Sequence, residues 1–284
     1  MTYTTLVSVD TLQQHLGNPD WVVLDVRHDL FKPTAGSDAY RAGHIPGARF
    51  AALDDDLSAP KNGRNGRHPL PDREALAERF RAWGIGPASQ IVAYDAAGGQ
   101  FAARLWWLAR WLGHRAVALL DGGWPAWVAA GGASETAVPA PARGGFAVGA
   151  SLAPLLVADD LLANLTTRER IVVDARSGER YRGEVEPLDP VAGHIPGALN
   201  RPCAQNLDTD QRFKSPAQLR EAFTSLLGDR APANVVHQCG SGVTACHNLL
   251  AMELAGLAGS ALYAGSWSEW VADPTRPVHT GAAP

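Results

Sequence analysis

The chain has 284 residues, 46% of them hydrophobic and 19% charged, with a formal net charge of −4. This is the composition of a globular protein with room for two domains, not of a disordered or fibrous chain. The acidic balance offers no basic stripe for phosphates and argues against a nucleic-acid partner. No stretch approaches the roughly 18 uninterrupted apolar residues of a membrane span, so no membrane partner is expected. Three cysteines, Cys203, Cys239 and Cys246, are too few for a disulfide framework and favour a reducing compartment. The first residues show no basic segment followed by an apolar one. No secretory signal is therefore expected, and a cytoplasmic location is the default.

In chain order, residues 8–16 carry Asp10 near their start and leucines four apart, as in a capped amphipathic helix. Residues 21–26 form a continuous apolar run ending in Asp25-Val-Arg27, the mark of a strand buried on both faces. Gly43-His-Ile-Pro-Gly-Ala48 reads as a turn, because Pro and Gly in that spacing break both helix and ladder. Residues 61–68 are a small basic loop, read as solvated, with a capacity to steer anions. Residues 73–83 and 100–112 read as helices, with strands at 91–94 and 116–120. Trp106, Trp107 and Trp111 on the second helix read as packing. Val138-Pro-Ala-Pro-Ala-Arg-Gly-Gly145 is Pro/Gly-rich and is expected to be extended and exposed.

The pattern then restarts. Residues 157–165 repeat the first helix, and 171–175 repeat the first strand, ending in Asp174-Ala-Arg176. Gly193-His-Ile-Pro-Gly-Ala198 repeats the turn letter for letter. A helix over 215–227 opens on Ser-Pro, a strand over 234–238 follows, then a helix over 244–257 and a strand over 261–263. Ser266-Trp-Ser-Glu-Trp-Val271 matches Gly123-Trp-Pro-Ala-Trp-Val128. Matches in the same order along both halves mean a duplicated domain. Strands alternating with helices make each copy an α/β domain with a mostly parallel sheet flanked by helices. We place the domains at 1–138 and 146–284, joined by a linker at 139–145.

Cys239 stands at the end of the 234–238 strand, where ligands of parallel sheets gather. Gly240-Ser-Gly-Val-Thr244 follows, then a helix. Backbone N–H groups from Gly240 to Thr244 and the helix start favour negative charge there, hence the nucleophilic thiolate. Gly240 and Gly242 permit the backbone angles of such a cradle, and Thr244 is placed to cap the helix. The bland reading is a buried core cysteine. The matching position in the first half is Asp95, a carboxylate where the second half has a thiol.

Asp174-Ala-Arg176, Arg180-Tyr-Arg-Gly183, the two Gly-His-Ile-Pro-Gly-Ala turns, Cys239-Gly-Ser-Gly-Val-Thr-Ala245 and Gly265-Ser-Trp-Ser-Glu-Trp270 together resemble the tandem-domain rhodanese family of sulfurtransferases. The resemblance spans nearly the whole chain. It implies two rhodanese-like domains, the first inactive and the second catalytic, with no cofactor. Cys239 would take a sulfane sulfur from a small-molecule donor, thiosulfate or 3-mercaptopyruvate, and pass it to cyanide, a thiol or a protein acceptor. Gly240, Ser241, Gly242, Val243 and Thr244 would bind the donor. In this family Gly-Ser-Gly goes with mercaptopyruvate. Ser241 would then bond the donor or shuttle a proton, and Arg180 would grip its carboxylate. Leu188 stands where mercaptopyruvate enzymes carry a second arginine, and Arg182 is the candidate to substitute. His44 is either part of a relay in such enzymes or a turn-locking residue, and so is His194; the turn-locking reading is preferred.

Other readings carry less. A cysteine phosphatase needs an arginine at the sixth position after the cysteine, where this chain has Ala245. A non-catalytic binding or sulfur-carrier module remains as the alternative. Cys246 and Cys203 read as packing, with a protective Cys239–Cys246 disulfide as the other option. Trp267 and Trp270 serve packing or wall the cleft. The cysteines and histidines lack paired ligand spacing, so no metal is expected.

Overall fold

The computed structural model describes residues 2–283. The chain forms two compact units, each described here by itself. Among the described residues, the first comprises 2–59, Pro71–Leu152 and Thr209–Phe213; the second comprises Pro60–Leu70, Ala153–Asp208 and 214–283. The basic 61–68 loop, which lies inside the first repeat in sequence, thus packs in the second unit. The Pro/Gly-rich stretch is irregular, as its composition demands, but it is fastened to the first unit. Gly144 N–H donates to Arg81 O at 2.8 Å, and Phe146 N–H to Ile85 O at 3.1 Å. Phe146 is buried against Phe80 and His114.

The first unit runs β1 (Leu6–Val7), α1 (Val9–His15), β2 (Trp21–Asp25), α2 (Ala35–Ala42), β3 (Arg49–Phe50), α3 (Arg73–Ala82), β4 (Gln90–Tyr94), α4 (Ala102–Trp111), β5 (Val117–Leu120) and α5 (Gly123–Ala129). The second runs β6 (Leu155–Leu156), α6 (Ala158–Thr167), β7 (Ile171–Asp174), α7 (Gly178–Arg182), β8 (Leu199–Asn200), α8 (Pro216–Leu227), β9 (Val235–Gln238), α9 (Ala245–Leu254), β10 (Ala261–Tyr263) and α10 (Ser266–Trp270). The sheets have the same order, β1-β5-β4-β2-β3 and β6-β10-β9-β7-β8, and every pairing is parallel. Central strands covered by helices on both faces need apolar side chains on both, which is why β2, β4, β7 and β9 read as unbroken apolar runs. In β9 the polar exceptions are buried: His237 turns Nε2 to the Met252 sulfur at 3.0 Å, and burial lowers it to about 3, keeping it neutral.

The repeated motifs are fasteners. In each unit the strand-end aspartate grips the arginine two residues on, and that arginine reaches the turn. Arg27 Nη2 donates to Asp25 at 2.6 Å and to Gly43 O at 2.7 Å; Arg176 Nη2 donates to Asp174 and to Gly193 O, both at 2.6 Å. Each guanidinium also lies 4.6 Å over a tryptophan ring, Trp124 or Trp267. The turn histidines are locked in the same way. His44 Nδ1 and Nε2 face the carbonyls of Tyr40 and Ala137, and the ring stacks on Tyr40 at 3.9 Å. His194 stacks on Tyr181 at 3.8 Å, with Nδ1 on the Tyr181 carbonyl. Both ring nitrogens of His44 thus face carbonyls that hold its turn.

Candidate active site

The register of the second sheet brings the site together. Asp174 of β7 stands beside Gln238 of β9, and Ala175 N–H donates to Gln238 O at 2.9 Å. Arg176 and Cys239, the next residues outward, therefore emerge at the same carboxyl edge. Cys239 is 2% exposed. Its backbone is held from α10: Cys239 N–H donates to Ser266 Oγ at 3.1 Å, and Trp267 N–H donates to Cys239 O at 3.0 Å. Ser268 N–H takes Gly240 O at 2.9 Å, fixing the next peptide.

The glycines of the loop are there for space. A Cβ on Gly240 would lie 2.6 Å from Arg67 Nη2 and 3.5 Å from both terminal nitrogens of Arg180. Gly242 has φ +75°, and a Cβ there would run into the Ala264 carbonyl. Val243 is buried. Thr244 has helical backbone angles and makes no cap hydrogen bond to α9, so the capping role is not realised; its hydroxyl bonds the Cys203 thiol instead.

The first unit shows what this loop does. There Asp95 occupies the strand-end position and is fully buried. One carboxylate oxygen accepts Ala97 and Gly99 N–H at 2.8 and 2.9 Å, the other Phe101 and Ala102 N–H at 2.8 and 2.9 Å. Residues 96–101, before α4, thus form an anion nest. In the first unit the chain fills it with its own carboxylate; in the second, Cys239 stands at the matching position.

Around Cys239 the charges are paired. Arg180, on α7, donates to Glu186 at 2.7 and 3.2 Å and reaches Asp189 at 3.4 Å. Arg176 reaches Glu186 at 3.3 Å. Burial opposes the Arg176 charge, yet Asp174, then Glu186 and Cys239, hold it above its ordinary value. Burial also works against the Glu186 anion, but Arg180, the Leu188 N–H and Arg176 keep its carboxyl below the usual range. Arg182 turns away, pairing with Glu184 at 2.7 Å on the surface, and is not brought to the loop.

Two residues at this site came from the basic loop read as solvated. Arg67 pairs with Asp189, and its N–H donates to Ser268 Oγ at 3.0 Å. His68 Nδ1 lies 2.7 Å from Ser241 Oγ, both side chains buried. Arg-His next to an Asn-Gly-Arg turn was the visible signal, but nothing in it names a partner 173 residues away. Ser266 was missed as well. Cys246 donates to Gly242 O at 3.3 Å from a buried helix position, and burial pushes the Cys203 thiol up to about 12. None of the three cysteines is in a disulfide. Trp267 and Trp270 are fully buried, their indole N–H groups on the carbonyls of Val191 and Pro277, so both are packing residues.

Among the described residues no helix is long and apolar enough to cross a membrane. The chain is 50% identical over 283 residues to the probable 3-mercaptopyruvate sulfurtransferase of Pseudomonas aeruginosa, covering 99% of this chain and 100% of that one. It is 41% identical over 273 residues to a putative thiosulfate sulfurtransferase of Mycobacterium tuberculosis, covering 92% and 91%. The solved 3-mercaptopyruvate sulfurtransferase from Leishmania major superposes with a TM-score of 0.84 at 29% identity, over 96% of this chain and 75% of that one. The rhodanese-like domain model matches residues 8–130 and again 157–273. With two such domains of identical sheet order, one carrying Cys239 and the other Asp95 at the nest, the chain belongs to the tandem rhodanese-like family.

Proposed function

We propose that the chain is a sulfurtransferase whose second unit is catalytic and whose first is silent, with 3-mercaptopyruvate as the preferred donor. The observation that carries this is the nest. Asp95 is an anion held by the loop at this place in the first unit, and Cys239 stands at the matching position of the second, which supports an anionic sulfur there. The thiolate and the persulfide are both anions of the kind such a loop favours.

The Cys239 thiolate attacks the donor sulfur. A new S–S bond forms as the donor C–S bond breaks, its electron pair staying on carbon as the enolate of pyruvate. The donor's thiol proton ends on that carbon, giving pyruvate and an anionic persulfide on Cys239. His68 and Ser241, hydrogen-bonded at 2.7 Å beside the nucleophile, are placed to carry the proton. Arg180 and Arg67, whose guanidiniums converge on Gly240, are placed to hold the donor carboxylate. Arg67 supplies the second cation that Leu188 cannot. In the second half-reaction cyanide or a thiol attacks the outer sulfur, the S–S bond breaks, and the Cys239 thiolate is regenerated.

The likeness to relatives named for mercaptopyruvate, the Gly-Ser-Gly loop and the paired arginines support that donor over thiosulfate. The test compares thiocyanate formation from the two donors, with Cys239→Ser as control, and weighs the protein after each donor alone. A gain of one sulfur that depends on Cys239 and a higher kcat/KM for 3-mercaptopyruvate are expected. Charging by thiosulfate alone would overturn the donor choice; no charging by either would favour a non-catalytic module.

A further inference from the structure

The two arginines that face Gly240 are not idle without a donor. Both are met by the same carboxylate: Arg67 Nη1 pairs with one oxygen of Asp189, and Arg180 Nη2 lies 3.4 Å from the other. The Asp189 side chain is 3% exposed. We infer that Asp189 is a specificity-determining residue, an internal carboxylate that competes with the donor's carboxylate for Arg67 and Arg180. The inference rests on the proposed mercaptopyruvate reading and deepens it.

Charge balance makes the case. Arg67, Arg176 and Arg180 face Asp174, Glu186 and Asp189, so the cluster is neutral before any sulfur anion is counted. Adding a thiolate and a donor carboxylate to a neutral, largely buried cluster is unfavourable unless one internal carboxylate gives way. Asp174 is tied into the fold by Arg176. Glu186 accepts from Arg180, Arg176 and the N–H groups of Leu188 and Asp189. Among the described residues, the Asp189 carboxylate pairs with the two guanidiniums that the donor needs. The groups facing it are Arg67 from the 60–70 segment, Arg180 from α7 and Glu186 from its own loop. Burial raises its carboxyl above the ordinary range in spite of Arg67, while Glu186 is held below it, so of the two Asp189 is the one that yields its charge.

A competitor and a positioning residue predict opposite signs. If Asp189 only aimed Arg67 at the loop, removing its charge would weaken carboxylate binding. If it competes, Asp189→Asn, which keeps the shape, strengthens it. The probe is pyruvate, a carboxylate without a transferable sulfur, titrated calorimetrically against the full chain and the variant at several pH values. We expect a dissociation constant lower by about tenfold in Asp189→Asn at neutral pH, of the size one charge-assisted bond makes. The KM for 3-mercaptopyruvate should fall in parallel, with the change in KM rather than kcat. Pyruvate binding by the unmutated protein should tighten as pH falls and Asp189 takes a proton; in the variant that part of the dependence should vanish. Weaker or unchanged pyruvate binding in a folded variant overturns the inference. Should the variant fail to fold, a pyruvate affinity of the unmutated protein that is flat or weakens on acidification does the same. Failure of the underlying reading looks different: 3-mercaptopyruvate would leave no extra sulfur on Cys239 in the unmutated protein.

Discussion

Asp95→Asn tests the anion nest where it can be measured without chemistry. The change keeps the volume but turns one carboxylate oxygen into an NH2 donor. Whichever oxygen is replaced, two backbone N–H groups, those of Ala97 and Gly99 or of Phe101 and Ala102, then face a donor inside a site with no exposure. A buried donor left without a partner costs about 1–3 kcal/mol, and the two surviving bonds lose their charge assistance. We expect a loss of about 4 kcal/mol, which in a chain this size lowers the thermal midpoint by roughly 10 °C. Thermal melting and urea unfolding, followed by both tryptophan fluorescence and far-ultraviolet dichroism, give the value. Below the transition, sulfur loading of Cys239 should persist, because the substitution is in the unit without the nucleophile. A loss under about 1 kcal/mol would mean that the loop does not depend on its anion. The claim that the matching loop favours anionic sulfur would fall with it.

Replacing Ser241 by Ala or His68 by Asn should lower kcat with 3-mercaptopyruvate by about 10²–10³-fold, the range of a lost proton carrier. Stopped-flow pyruvate release reads this, and two variants that each retain full kcat would remove the relay. Gly242→Ala should abolish sulfur loading, since its Cβ meets the Ala264 carbonyl at a φ of +75° and the loop must shift; loading at the normal rate by mass spectrometry would contradict this. Acid stability should carry the signature of His237, which burial lowers to about 3 from 6.5. The unfolded chain binds a proton across that window that the folded chain refuses. The group's contribution is thus intact above pH 6.5 and is lost as pH falls toward 3. Urea midpoints for His237→Leu between those limits should fall less steeply than those of the parent, and equal slopes would refute the assignment.

Much of the fold was legible because parallel strands covered on both faces leave an unmistakable apolar run, and because the chain states each run twice. The helix α2 was not: its sequence, Ala-Gly-Ser-Asp-Ala-Tyr-Arg-Ala, offers Tyr40 as its one large apolar side chain, and it reads as loop until Tyr40 is seen stacked on His44. Cys239, its glycines and Arg180 could be named as candidates from the sequence because loop chemistry is local. Arg67, His68 and Asp189 were not, since their roles come from pairings made across long separations in sequence. The 61–68 loop is the clearest case. Its composition reads as a solvated basic loop, whereas in the fold Arg67 is paired with the carboxylate of Asp189 and His68 is buried against Ser241. His44 is the converse: a conspicuous motif histidine whose two ring nitrogens serve the turn.

The two halves also differ at the residue that opens their matching Trp-x-x-Trp motifs. Gly123 and Ser266 open the last helix of each unit with the same left-handed backbone, φ +55° and +54°. Glycine adopts it freely, whereas serine accepts a cost of about 1 kcal/mol. A Cβ on Gly123 would strike the Asp95 carbonyl, so the first unit has no room for a side chain there. In the other half the serine hydroxyl accepts the Cys239 N–H at 3.1 Å and donates to Tyr263 O at 2.9 Å, anchoring the nucleophile's own peptide to the neighbouring strand. Of the two matching positions, the strained one thus lies in the unit that carries Cys239. Ser266→Gly separates the two effects. Relief of strain and loss of two neutral hydrogen bonds nearly cancel, so stability should change by less than about 1 kcal/mol. Sulfur loading, measured as single-turnover pyruvate release, should slow by about tenfold as the Cys239 peptide loses its anchor. A variant that loads at the parent rate would make Ser266 a packing residue and leave its backbone strain without a functional reason.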